Sequence, residues 1–204
     1  METCSIVIVG VGGQGVLFLS EVLGQAAMES GLDVKVAEIH GMAQRGGSVI
    51  STVRLGKKVH SPTVAEGEAN LIIALEPIEA LRSLAYAHSG TTILVSTNPI
   101  SPPGLSISNE KYPELESIVE SLGRVSKNIL TVDTLSLARK SGSLATQNTV
   151  MLGLVSASGK IPLGVSTIKK AIADSAQKKF QEVNLKAFDL GFETYKTLRT
   201  IPST

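Results

Sequence analysis

The sequence predicts an α/β protein, a Rossmann-like three-layer α/β/α arrangement with a mostly parallel sheet and a helical C-terminal part. Three observations carry this. First, a glycine-rich turn, Gly10-Val11-Gly12-Gly13-Gln14-Gly15, follows directly on the apolar run Ser5-Ile6-Val7-Ile8-Val9 and opens a stretch of helical length, residues 16–31. Second, a further strand-like run, Val34-Lys35-Val36-Ala37-Glu38-Ile39, leads into another glycine-rich loop, His40-Gly41-Met42-Ala43-Gln44-Arg45-Gly46-Gly47-Ser48. The order strand, loop, helix, strand, loop puts both loops at the carboxyl ends of parallel strands. That edge is where open α/β sheets bind ligands or partners. Third, apolar residues make up 43% of the chain but aromatics only 3%, so the core must be Val, Ile, Leu and Ala. Such a core suits a parallel sheet buried on both faces.

The remaining elements follow in order. Residues 48–55 alternate apolar and polar types and are rich in β-branched residues, which predicts a strand with one wetter face. Gly56-Lys57-Lys58 reads as a turn, and residues 59–64 as either a short returning strand or an irregular loop, with Pro62 favouring an edge. Residues 70–75 read as a buried strand closed by Glu76-Pro77. Pro77 fits the first turn of a helix whose apolar stripe is Ile78, Leu81, Leu84 and Ala85. Residues 91–96 predict another buried strand, and the proline-rich residues 98–104 a loop. Residues 112–122 read as a helix and 129–132 as a short strand, with Asp133 or Thr134 capping the next helix. Thr146 and Ser166 are candidate caps for helices over 148–156 and 168–177. A final helix over 181–198 has Phe180, Val183, Ala187, Phe188, Gly191, Tyr195 and Leu198 as its buried face. With no repeat, low-complexity tract or linker, residues 1–204 are expected to form one domain.

Composition narrows the function. A formal net charge of +1 gives no electrostatic case for nucleic acid, which needs a concentrated basic face. Cys4 is the only cysteine. One thiol forms no internal disulfide and cannot by itself hold an iron–sulfur cluster, and the chain suits a reducing, cytoplasmic compartment. The apolar start carries no basic residue before Lys35, so it reads as a buried first strand rather than a secretory signal. Residues 5–9 are too short to span a membrane, and no membrane partner is expected.

Gly10, Gly12 and Gly15 fit the G-x-G-x-x-G pattern, with Gly13 and Gln14 between them. Glycines permit a tight turn, and the helix that follows offers free N–H groups suited to a phosphate. Glu38 ends the second strand where dinucleotide enzymes place a ribose-binding acid. On this pattern alone the chain reads as a nicotinamide or flavin enzyme, or as one whose glycines only let helix and strand pack closely. The second loop points elsewhere. Dinucleotide-binding folds have no particular use for Arg45-Gly46-Gly47 just past the second strand. Arg45 is a fixed cation suited to a carboxylate, a phosphate or a partner's acidic group. His40 suits a hydrogen-bond donor or proton carrier. The plainer alternatives are a surface ion pair for Arg45 and a strand-end cap for His40.

The segments Val7-Ile8-Val9-Gly10-Val11-Gly12-Gly13-Gln14-Gly15-Val16 and His40-Gly41-Met42-Ala43-Gln44-Arg45-Gly46-Gly47-Ser48 resemble the 2-oxoacid:ferredoxin oxidoreductase gamma-subunit family. The wording of the second is similar to the beta subunits of the indolepyruvate ferredoxin oxidoreductase branch. Asn148-Thr149-Val150-Met151-Leu152-Gly153 and Asn184-Leu185-Lys186-Ala187-Phe188-Asp189-Leu190-Gly191 extend the resemblance over nearly the whole chain.

The resemblance implies oxidative decarboxylation of a 2-oxoacid, an aryl pyruvate in the indolepyruvate branch, to an acyl-CoA with electrons passing to ferredoxin. It assigns thiamine diphosphate, magnesium and the 4Fe-4S clusters to a larger partner subunit. The single cysteine and the lack of a Gly-Asp-Gly stretch agree with that division. This chain is then a docking and co-substrate subunit, inactive alone, with no catalytic residue or metal of its own. Gly10, Gly12, Gly13, Gln14 and Gly15 are the candidate site for the diphosphate of CoA. His40, Met42, Gln44, Arg45, Gly46, Gly47, Ser48 and Asn148 are candidate contacts to partner or co-substrate. For Asn148 and Asn184 the plainer reading, helix capping or a solvated face, is the favoured one. A homodimer of the isolated chain is compatible with this. A stand-alone NAD(P)-dependent oxidoreductase and a non-enzymatic nucleotide-sensing module are the alternatives.

Overall fold

The computed structural model describes residues 2–41, 46–101 and 111–200. Its first strand, β1 (Cys4–Val11), is buried along its whole length. Side chains alternate across a strand. Ile6 and Ile8 therefore enter one hydrophobic cluster, and Val7 and Val9 the other. The same alternation runs through β4 (Leu71–Ala74) and β5 (Thr92–Ser96), both wholly buried. With β6 (Asn128–Val132) these strands form a parallel array extending from β1. Helices α1 (Val16–Glu29), α4 (Thr134–Ser141), α5 (Gln147–Ala157), α6 (Val165–Ser175) and α7 (Gln181–Thr200) cover the Ile6/Ile8 face. Helices α2 (Pro77–Arg82) and α3 (Leu115–Gly123) cover the other. The result is the three-layer α/β/α arrangement expected from the sequence.

The sheet has six strands in the order β2-β3-β1-β4-β5-β6. Here the structure corrects the simple strand–helix–strand reading. β2 (Asp33–His40) does not lie beside β1. β3 (Ser48–Gly56) runs between them, antiparallel to both. β2 still points the same way as β1, so both glycine loops do emerge at one edge. The second loop, however, is the end of an antiparallel hairpin. β2 is the sheet's edge, and its residues are half-buried or exposed, unlike a strand buried on both faces.

Other expectations shift for local reasons. β3 does have one wetter face, with Ser48, Ile50 and Arg54 half-buried, but not all of its polar residues are wet. Ser51 and Thr52 are buried because their hydroxyls donate to Ala37 O (3.3 Å) and Pro62 O (2.9 Å). Residues 59–64 are irregular, as one of the two readings had it, and Arg54 donates to Thr63 O at 3.0 Å to hold them. α2 ends at Arg82. Leu84 falls in a separate 3-10 turn and Ala85 is exposed. Tyr112 precedes α3, because its hydroxyl is committed to the first turn of α2. Asp133 does cap α4, accepting from Ser136 N. Thr146 sits at the N-cap of α5 without capping it, since its hydroxyl bonds Ser143 O (2.8 Å). Gly164, not Ser166, precedes α6. On α7 the buried face is Ala187, Phe188, Gly191 and Tyr195, whereas Phe180, in the 3-10 turn before the helix, and Leu198, in its last turn, are 45% and 39% exposed.

α5 and α7 cross at unusually close range. A Cβ on Gly153 would lie 2.1 Å from Phe188 O, and one on Gly191 would lie 2.0 Å from Val150 O. Both clashes are with backbone, so no rotamer change relieves them. The expected outcome of Gly153→Ala or Gly191→Ala is a loss of about 3 kcal/mol or more, read as a fall of roughly 6–12 °C in Tm. Gly24 in α1 is the control. A Cβ there meets Val36 Cγ2 at 3.7 Å, ordinary contact, so Gly24→Ala is expected to raise stability by up to about 1 kcal/mol through helix propensity alone.

Candidate functional site

The chain leaves β1 toward β2 on one side and leaves β4 toward β5 on the other. The carboxyl ends of β1 and β4 therefore flank the point where the winding reverses, the usual place for a ligand crevice. The glycine turn stands there and is built mostly from its own residues. Gln14 accepts from Val11 N with Oε1 and donates to Leu75 O with Nε2, both at 2.8 Å. One side chain thus ties the turn after β1 to the end of β4. Gly10 makes room for it, since a Cβ there would lie 2.8 Å from Gln14 Oε1. Gly15 has φ of 81°, and a Cβ on it would fall 2.3 Å from Asn148 Nδ2. Gly13 has φ of 101° with nothing within 4 Å of its Cβ position.

The hairpin end closes onto this turn through backbone. Gly12 N donates to Gly47 O (2.9 Å), and Gly46 N donates to Gly12 O (3.4 Å). Gly41 N donates to Ser48 O at 2.9 Å. Two clefts flank the join. One of about 600 Å³ lies between Gly13, Val16, Leu17, His40 and Gly41. The other, about 320 Å³, lies between Gly12, Gln14, Gly46, Leu144 and Gln147. The N–H groups of Val16, Leu17 and Phe18, the open first turn of α1, have no acceptor among the described residues.

Thus Gly10, Gly12, Gly13, Gln14, Gly15, His40, Gly46, Gly47 and Ser48 are gathered at one edge. Met42, Gln44 and Arg45 lie outside the described residues. His40 is half-exposed, with Nε2 3.8 Å from Glu38 Oε2. Glu38 also accepts from Ser20 Oγ at 3.2 Å. Asn148 is buried and turned inward, with Nδ2 3.5 Å from Gly15 O and Oδ1 accepting from Thr149 N. Thr149 Oγ1 donates to Asn184 Oδ1 at 2.6 Å, so the two Asn-headed segments meet each other across the α5–α7 crossing.

Two residues that sequence reasoning passed over stand beneath this edge. Glu76 and Glu79 are 1% and 2% exposed. Glu79 accepts from the Ser48 hydroxyl and from Arg82. Glu76 accepts from the Tyr112 hydroxyl, from Ile100 N and from Glu79 N. Burial, and then the neighbouring Glu76 carboxylate, push the Tyr112 phenol above its ordinary range. Pro77 signals the helix start, but nothing local signals that the carboxylates of Glu76 and Glu79 are both buried.

Cys4 does not fit a cluster ligand. It is a single thiol, buried at the amino end of β1, far from the glycine edge, with burial pushing it up to about 11.

The family model described as pyruvate ferredoxin/flavodoxin oxidoreductase matches residues 5–194, and the chain belongs to that family. Within it, the chain is similar to the indolepyruvate oxidoreductase subunit IorB of Archaeoglobus fulgidus. The two are 41% identical over 188 residues, which cover 92% of this chain and 93% of the relative. Two solved structures share the fold. The gamma subunit of a keto/oxoacid ferredoxin oxidoreductase from Geobacter sulfurreducens superimposes with a TM-score of 0.70 at 21% identity, over 95% of this chain and 99% of that one. The 2-oxoglutarate:ferredoxin oxidoreductase of Magnetococcus marinus gives 0.74 at 18% identity, over 97% of this chain but 32% of the longer one.

Two outcomes follow from the geometry. Gly15→Ala is expected to cost more stability than Gly13→Ala, because both strain a left-handed backbone but only the first meets Asn148. Asn148→Ala in the Gly15→Ala background should return part of the loss, a non-additivity of roughly 1 kcal/mol or more in a thermal double-mutant cycle. For Cys4, a folded pKa raised from 9.0 to about 11 adds stability that is full below pH 9 and is lost as pH rises toward 11. At pH 8 the native thiol should therefore react with iodoacetamide at least about a hundredfold more slowly than in the denatured chain. Equal rates would contradict the burial.

Proposed function

We propose that this chain is the small, thiamine-free subunit of an indolepyruvate-type 2-oxoacid ferredoxin oxidoreductase. It docks through its glycine-loop edge on the large subunit, and it contributes to the path of CoA. The observation that carries the reading is the backbone join of the two loops. Two segments distant in sequence, both part of the family resemblance, form one continuous surface between two clefts. Likeness over 93% of the length of an indolepyruvate oxidoreductase subunit supports the choice of substrate class. Thiamine diphosphate, magnesium and the 4Fe-4S clusters belong, in this reading, to the large subunit, which performs decarboxylation and electron transfer to ferredoxin. The chain itself offers no thiolate set for a cluster.

For CoA, the fit rests on the open N–H groups at the start of α1 and on the space left at Gly13. A diphosphate suits such a turn, because the helix end carries partial positive charge and glycine allows close backbone approach. Gly10, Gly12, Gln14 and Gly15 shape the turn. His40, Gly46, Gly47 and Ser48 rim it, and Met42, Gln44 and Arg45 belong to the same sequence loop.

A stand-alone NAD(P)-dependent oxidoreductase is the weaker reading. Its ribose-binding acid needs to end the strand next to β1. Here Glu38 stands on β2, two strand spacings or about 10 Å from β1, and it is engaged by Ser20 and His40.

Purified alone, the chain should not oxidise indolepyruvate with a viologen acceptor. Mixed with its large subunit it should restore CoA-dependent reduction. Arg45→Ala should lower that activity by roughly 30-fold or more, as for a cation facing a buried anion at an interface. It should also leave the melting of the isolated chain within about 0.5 kcal/mol of wild type. Turnover by the isolated chain with NAD and a hydroxy acid would favour the alternative.

A further inference from the structure

Glu79 lines neither cleft, yet it is almost completely buried and holds the end of the hairpin. Its Oε2 accepts from Ser48 Oγ at 2.5 Å, and its Oε1 is paired with Arg82 of the same helix. Ser48 is the first residue of β3 and follows directly on Gly47, whose carbonyl receives Gly12 N. One covalent step therefore separates the Glu79 clamp from the join of the two loops. On its other side the first turn of α2 is tied just as firmly. Glu76 accepts from Tyr112 and from Ile100 N with one oxygen, and from Glu79 N with the other at 3.1 Å. Ile78 N in turn donates to the Tyr112 hydroxyl at 3.2 Å.

Two carboxylates one helical turn apart are a costly way to anchor a helix of six residues. Burying a charge is unfavourable unless it gains donors, and apolar side chains of similar volume often serve stability as well or better. What a carboxylate adds is direction. It must collect donors, and these come from the hairpin end on one side and from the Ile100–Tyr112 side on the other.

We propose that Glu79 is a positioning residue of the partner-facing edge: through the Ser48 hydroxyl it sets where the β2–β3 hairpin meets the first glycine turn, and so sets the affinity for the large subunit. This rests on the reading of the chain as a docking subunit. Glu79 touches no reacting group, and its effect passes through Ser48 and Gly47. Removing the Ser48 hydroxyl leaves Glu79 its Arg82 partner, so α2 keeps its fold while the hairpin end loses its side-chain anchor and keeps only its backbone bonds.

The test is a double-mutant cycle read on two observables. Full-length wild type, Ser48→Ala, Glu79→Leu and the double variant are each titrated into the purified thiamine-bearing large subunit, and each is melted alone. The expected result is that either single change weakens binding by roughly tenfold, and the double change no further, because both remove the same contact. Ser48→Thr, which keeps the hydroxyl, should restore wild-type affinity. Should Glu79→Leu fail to fold, the Ser48→Ala and Ser48→Thr comparison decides alone: weakened binding rescued by threonine supports the proposal, and equal binding overturns it. Effects on affinity that multiply independently, or coupling seen only in Tm, make the clamp structural and overturn the proposal. A wild-type chain that does not bind the large subunit overturns the docking role itself, and this inference with it.

Discussion

The structure depends on the backbone exchange between Gly12 and the Gly46–Gly47 pair. Glycine-rich turns are entropically expensive to order, because glycine loses more conformational freedom than any other residue. The first turn is held by Gln14, whose amide serves as both acceptor and donor to backbone. The second is held by the first, through Gly12, and by Ser48 on Glu79. The two loops are therefore one unit, and a change in either is felt in both.

That unit exists because β3 is threaded antiparallel between β1 and β2. The insertion brings the hairpin end directly over the turn after β1. It also moves β2 to the rim of the sheet, where Val36 and Ile39 are exposed at 39% and 63%. Behind the turn, Asn148 fills the space that a side chain on Gly15 would need. The Thr149–Asn184 bond and the Gly153 and Gly191 contacts then lock α5 to α7. The C-terminal helices thus back the glycine edge rather than form a separate layer of function.

Much of this was legible in the sequence. The buried strands announced themselves by unbroken Val/Ile/Leu runs, and the glycine spacing located the turn at the carboxyl end of β1. The position of β3 was not legible. An alternating β-branched run reads the same whether it pairs at the edge or enters the centre of a sheet, since pairing is a non-local choice. The alternation did announce the wetter face of β3, Ser48, Ile50 and Arg54, but not the burial of Ser51 and Thr52, whose hydroxyls reach carbonyls of other segments. Glu76 and Glu79 escaped notice because charged residues are almost never fully buried unless paired. Beside the local Arg82 and Glu79 N, their donors lie at Ser48, Ile100 and Tyr112, which local spacing does not connect to them. Asn148 is turned toward the glycine turn, and Asn184 accepts from Thr149 of α5, two long-range partners that local spacing does not reveal.

We propose that the joined glycine loops are the face this protein presents to its large subunit. Hydrogen exchange of the full-length chain, measured alone and in the complex, decides this. Protection is expected to rise together at Gly13, at Val16–Phe18 and at Gly46–Ser48. Little change is expected at the opposite edge, around Glu2–Cys4 and Gly159–Pro162. Protection confined to that opposite edge, with the glycine amides exchanging as freely as in the isolated chain, would contradict it.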